Sequence, residues 1–153
     1  MNFRILSDFL RGRVNRGIFL SSIEKEMKEY IESNKKSRSS SSVSLNTSDI
    51  QSHFSEVDLM YLLTKYLDRE ILEWELSYIL TALDLGSKFG SISVDERCDE
   101  ICFNLAMPEI PITRENIQSC INFLSGKENR LKLKSKQGFR PATEYRSILF
   151  GSS

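Results

Sequence analysis

The sequence predicts an all-α protein, a single-domain bundle of about five helices packed around one central helix at 70–85. Three observations carry that prediction. The stretch EILEWELSYILTALDL is apolar over most of a helical circumference, through Ile71, Leu72, Trp74, Leu76, Tyr78, Ile79, Leu80, Leu83 and Leu85, and it leaves only a narrow stripe of Glu70, Glu73, Ser77, Thr81 and Asp84. Such a helix needs neighbours on several sides. Just before it, Leu59, Leu62, Leu63, Tyr66 and Leu67 repeat at i, i+3, i+4, i+7 and i+8, the strongest helical period in the chain. Capping and stop residues at Gly86, Ser93, Thr113 and Gly126 divide the rest of the chain at helical lengths.

The remaining elements come in chain order. Phe3, Leu6, Phe9 and Leu10 predict a short helix over 2–10, and Gly12 and Gly17 bracket a basic loop with Arg11, Arg13 and Arg16. Leu20, Ile23, Met27, Tyr30 and Ile31 predict an amphipathic surface helix over 18–34, with Glu24–Lys28 as an i, i+4 pair. KKSRSSSSVSLNT, at 35–47, carries too little apolar surface to offset the entropy of ordering it and is expected to be a flexible linker. A helix is predicted over 56–68, with Asp68 capping the central helix and Gly86 at that helix's C′ position. Ser93 and Glu96 predict a capping box for a helix over 94–106. Its core face is Val94, Cys98, Ile101, Cys102 and Leu105. Its other face is acidic, through Asp95, Glu96, Asp99 and Glu100. MPEIPI, with Pro108 and Pro111, predicts an extended connection, and Thr113 caps a last core helix ended by Gly126. The basic extension at 127–153 is poor in core residues. Leu131 and Leu133 alternate with lysines there, as in a short strand or exposed arm, and 143–150 suggests a final helical turn.

Composition narrows the class. At 153 residues, with 40% hydrophobic and 27% charged residues, the chain suits one globular domain. No apolar run approaches the roughly 20 residues of a membrane span. Ser7, Asp8 and Arg11 interrupt the N-terminus, so no secretory h-region is expected and the cytoplasm is the expected compartment. Formal charge is zero, but unevenly spread. Residues 1–48 hold nine basic against five acidic side chains, 49–109 hold four against thirteen, and 110–153 hold eight against three. An acidic middle lies between basic ends.

Few residues suggest chemistry. There is no phosphate-binding glycine loop, nucleophile elbow or His-Glu-x-x-His pattern. Cys98, Cys102 and Cys120 with His53 supply four potential zinc ligands, but without the usual paired spacing. Free cysteines buried as small hydrophobes are the expectation, with no metal or cofactor. Glu75 projects away from the polar stripe and is expected to be buried against a Tyr, an Arg or a backbone amide. An enzyme built on Glu75 is the least favoured reading.

From Asp58 to Leu124 the chain resembles the small helical immunity proteins of bacterial contact-dependent growth inhibition systems. The resemblance rests on Trp74-Glu75-Leu76 beside Tyr78, on Asp95-Glu96 opening the acidic helix, and on Pro108-Glu109-Ile110 before Thr113. It implies a cytoplasmic protein that binds a toxin domain delivered by a neighbouring cell, with an expected one-to-one stoichiometry, and blocks it. Many such toxins are nucleases, whose basic clefts an acidic surface complements with fast, steered association. The candidate contact residues are Asp95, Glu96, Asp99, Glu100, Glu70 and Glu73, with Phe89 and Phe103 as apolar anchors. Trp74, Glu75, Tyr78, Leu62, Leu63 and Ile101 are the expected core, with Trp74 buried near its centre. The alternative is a nucleic-acid-binding regulator using Arg11, Arg13, Arg16 and the basic tail, which the acidic centre disfavours by repelling phosphates.

Overall fold

The computed structural model describes residues 1–36, 52–136 and 138–141. Among the described residues are six helices and two small two-stranded sheets, so the all-α prediction holds. The linker predicted at 35–47 lies outside the described residues apart from its first two positions, and the final turn predicted at 143–150 lies wholly outside them.

Helix α1 (Phe3–Leu10) starts where the Asn2 side chain accepts the Arg4 and Ile5 N–H groups at 3.0 and 3.3 Å. It buries Phe3, Leu6, Phe9 and Leu10. Helix α2 (Arg16–Lys36) turns Phe19, Ile23, Met27 and Tyr30 to the core, and the Phe9 and Phe19 rings stack with centroids 4.5 Å apart. After strand β1 (Ser52–Phe54), a capping box between Ser55 and Asp58 opens α3 (Glu56–Leu67), close to its predicted bounds.

Helix α4 (Glu73–Lys88) is the central element, packed against α2, α3 and the segment 92–105 that follows it. It begins and ends three residues later than predicted. Asp68 ends α3 rather than capping α4, and Arg69, at φ 63°, turns the chain. Leu72 stands at the N-cap, and the Glu75 carboxylate folds back to accept the Leu72 N–H at 2.7 Å. Gly86 does not stop the helix. It lies inside α4, where a Cβ would come 2.9 Å from Phe3 Cζ and 3.0 Å from Ile92 Cγ2. Glycine there lets α1 and strand β2 (Ile92–Val94) close on α4; the helix ends at Lys88 with Phe89 as its C-cap, before Gly90 at φ 74°.

Strand β2 pairs in parallel with β1, setting His53 opposite Ser93. Ser93 therefore sits in a strand instead of capping a helix. Helix α5 (Glu96–Leu105) opens after Asp95 and is shorter than the predicted 94–106. The MPEIPI segment is not extended throughout: Ile110 N–H closes a turn on the Met107 carbonyl at 3.2 Å before Pro111. Helix α6 (Arg114–Leu124) starts at Thr113, whose side chain accepts the Asn116 N–H at 3.1 Å, and Gly126 comes after it at φ 82°, as expected. The hairpin of β3 (Lys132–Ser135) and β4 (Gly138–Pro141) is antiparallel. Leu131 and Leu133 are buried, which overturns the exposed-arm alternative. Buried Asn116 holds the hairpin to α6, giving its Nδ2 to the Pro111 and Lys134 carbonyls and accepting the Lys134 N–H at 2.8 Å.

Leu62, Leu63, Tyr78 and Ile101 are fully buried, as predicted, and Glu75 joins them. Trp74 does not. It is 43% exposed and lies in the first turn of the late-starting α4, where it lines a groove with residues of α2.

Candidate functional site

Arg11 and Arg13, in the loop between α1 and α2, and Arg16, the first residue of α2, each lie beside a carboxylate. Arg11 lies 3.3 Å from buried Asp58, Arg13 lies 3.3 Å from Asp8, and Arg16 lies 3.4 Å from buried Glu75. Arg16 also donates through Nε to the Glu70 carbonyl. The basic loop is thereby tied to α3, and the start of α2 to the start of α4. Glu75 has the two partners its position demands, an arginine and a backbone amide.

The acidic start of α5 is partly consumed by structure as well. Asp95 Oδ1 is 2.9 Å from His53 Nε2, and Asp95 Oδ2 accepts the Glu56 N–H at 2.9 Å. The residue thus clamps β1 and the first turn of α3 onto α5. Glu96 is exposed, whereas Asp99 and Glu100 are half-buried, so the expected four-carboxylate face is narrower than the sequence suggests. Phe103, expected as an anchor, is only 5% exposed, and Lys88 Nζ lies 5.1 Å from its ring centroid. It is a core residue. Phe89, at the opposite extreme, is 74% exposed. Arg97, at the edge of the acidic face, forks onto Glu56 at 2.7 and 3.1 Å and reaches the Phe123 carbonyl at 3.0 Å.

The surface that the structure brings together lies at the edge between α2 and α4. Leu20, Met27 and Trp74 line an apolar groove of about 280 Å³, together with Ser21, Glu24, Lys28 and buried Glu75. Leu72, beside Trp74 in sequence, and Ile18, in the first turn of α2, are both about half exposed. Glu70 and Glu73 are exposed at the same end of α4, Glu70 within 3.3 Å of Lys65. Sequence reasoning misses this groove because it assigns Trp74 to the core. One available signal is the Leu72-x-x-Glu75 spacing after a polar turn, which places a helix start just ahead of the tryptophan. The predicted polar stripe faces α2 farther along: the Tyr30 hydroxyl is 3.2 Å from Ser77 Oγ and 3.4 Å from Thr81 Oγ1.

Two groupings bear on chemistry. Cys98, Cys102 and Cys120 are all buried. Burial pushes each thiol up, Cys98 to about 12 with the Asp95 carboxylate adding to the effect, so none is a reactive thiolate near neutral pH. Among the described residues no group of three or more His, Cys, Asp or Glu side chains is placed to hold a metal ion. Ser93, His53 and Asp95 form a hydrogen-bonded chain, with Ser93 Oγ 3.1 Å from His53 Nδ1. His53 and Ser93 meet because they are cross-strand partners, and of the three only His53 borders the neighbouring pocket. The chain therefore reads as a clamp. No described helix is long and apolar enough to cross a membrane. Comparison with known protein families, curated proteins and solved structures returns no match to this chain.

Proposed function

We propose that this chain is an immunity protein of the contact-dependent growth inhibition type, which neutralises a cognate nuclease toxin domain by stoichiometric binding in the cytoplasm. One observation carries the reading: folding sets Arg11 and Arg16 against the buried carboxylates of Asp58 and Glu75 and leaves a half-exposed tryptophan in an apolar groove at the acidic end of α4. Protein interfaces of high affinity are organised around such partly packed aromatic anchors. Glu70, Glu73 and Glu96 add exposed negative charge that steers a basic partner. The reading puts the contact surface at the α2–α4 edge, with Glu96 and Phe89 as outlying contributors.

The same observation weakens the nucleic-acid reading, because Arg11 and Arg16, two of the three arginines that it needs, are held by buried carboxylates. The deciding experiment is affinity capture of the tagged chain from its own host cells, washed at high salt and read by mass spectrometry. The reading expects the C-terminal piece of a large exported protein in about equal amount. That piece should be toxic when expressed alone and harmless when expressed with this chain. Retention of nucleic acid at low salt, with no such protein, favours the regulator.

A further inference from the structure

A second concavity lies on another part of the molecule, where α1, the Arg11–Val14 turn and the β1–β2 ladder meet. Its volume is about 250 Å³. Phe3, Phe54 and Ile92, each nearly buried, form an apolar floor. The rim is polar, with two arginines, Arg4 and Arg13, beside Ser7, Asp8 and His53. The geometry points to a binding site for a small organic anion, an apolar ring carrying one phosphate or carboxylate.

Each feature of that ligand is matched by a residue. Arg4 is exposed on α1, and its guanidinium is a planar donor suited to an oxyanion. Arg13 is held at the rim by Asp8 at 3.3 Å, a pair that uses one of its five N–H donors. Asp8 offsets one charge, so the rim suits an anion of low charge and not a polyanionic strand. The backbone amides of Arg4 and Ile5 are already taken by the Asn2 side chain, and the polar side chains are the source of selectivity. His53 closes one wall and is fixed there, since both ring nitrogens are bonded, to Ser93 and Asp95. Prearranged walls lower the ordering cost of a ligand. The volume falls just under the usual small-molecule range of about 300–1,000 Å³, so it admits a single ring more readily than a nucleotide. This site shares no lining residue with the Trp74 groove and stands or falls independently of toxin binding.

The test is titration of the full chain with phenyl phosphate, benzoate, inorganic phosphate and benzyl alcohol, monitored by calorimetry and by the amide resonances of His53 and Phe54. Saturable binding of phenyl phosphate or benzoate is expected, at least about tenfold tighter than inorganic phosphate or benzyl alcohol, because each control lacks one half of the recognition. The tighter of the two aryl anions identifies the oxyanion. Arg4→Ala and Arg13→Ala each remove a charge-assisted contact from an exposed side chain and should weaken binding about tenfold without unfolding the protein. The inference is overturned if neither aryl anion saturates by about 10 mM, a free energy too small for a built site. It is equally overturned if inorganic phosphate binds as well as phenyl phosphate, or if the two arginine variants bind unchanged.

Discussion

The Arg16 guanidinium lies 3.4 Å from the Glu75 carboxylate, joining residues 59 apart in the chain. Glu75 is buried and also accepts the Leu72 N–H at 2.7 Å, so one side chain starts the central helix and fastens the start of α2 to it. Glu75→Ala removes both functions and should destabilise the protein by about 1–3 kcal/mol. Glu75→Gln keeps an acceptor for the amide and should cost less than half as much. Urea unfolding of the two variants decides: equal losses would mean that the charge, not the cap, matters.

How far these relationships are legible in the sequence differs by residue. Helical period locates α3 and α6 to within a residue or two, since their apolar faces meet the core along the whole helix. It misplaces α4, because the turn at 68–72 contains helix-compatible residues and its reversal depends on Arg69 adopting φ 63°. That three-residue shift takes Trp74 out of the core. The parallel β1–β2 pair is invisible, since three-residue strands show no alternation and their pairing is a tertiary fact. Glu75 is placed correctly because burying a carboxylate leaves so few options. Asp95 and Phe103 pass for contact residues because a helix face seen in isolation does not reveal what packs on it.

Gly86 offers a test of close packing against helix propensity. Gly86→Ala should gain about 1 kcal/mol in an exposed helix. Here the added Cβ meets Phe3 and Ile92 at 2.9 and 3.0 Å, inside ordinary contact. Overpacking of this kind costs about 1–3 kcal/mol, so the variant should be less stable than the parent in thermal or urea unfolding. A stabilised variant would show that α1 is free to move away from α4.

The buried thiols predict an alkaline limit. Burial raises Cys98 from 9.0 to about 12 and raises Cys102 and Cys120 as well. Below about pH 8 each thiol is neutral in both states and the stabilisation is fully present. Above about pH 9 the unfolded thiols release protons that the folded ones keep, so stability falls as pH rises towards the folded values. The slope is about 1.4 kcal/mol per pH unit for each thiol. Urea unfolding between pH 7 and 10.5 should show the decline, and a triple Cys→Ala variant should flatten it. Iodoacetamide at pH 8 should modify the native thiols only as fast as the protein opens; labelling at the rate of a free thiol would contradict their burial.

Trp74 and Asp95 separate binding from stability. Trp74 is 43% exposed and lines a groove with Leu20 and Met27, so Trp74→Ala should cost little stability, about 1 kcal/mol. Partner affinity should fall by about 2 kcal/mol or more if the ring is the anchor of the interface. Phe103→Ala should do the reverse, losing about 3–5 kcal/mol of stability with no direct loss of contact. Charge reversal along α5 has to respect the same division. Asp95→Lys breaks the bonds to His53 and Glu56 and should destabilise the fold, whereas exposed Glu96→Lys should leave stability within about 0.5 kcal/mol. Only Glu96→Lys, with Glu70→Lys and Glu73→Lys on α4 and the turn before it, therefore reports on steering, and each should slow association and lessen its salt dependence. Calorimetry and association kinetics with the captured domain supply the readout. An affinity unmoved by Trp74→Ala, with the fold intact, would place the interface away from the α2–α4 edge while leaving toxin binding itself untouched.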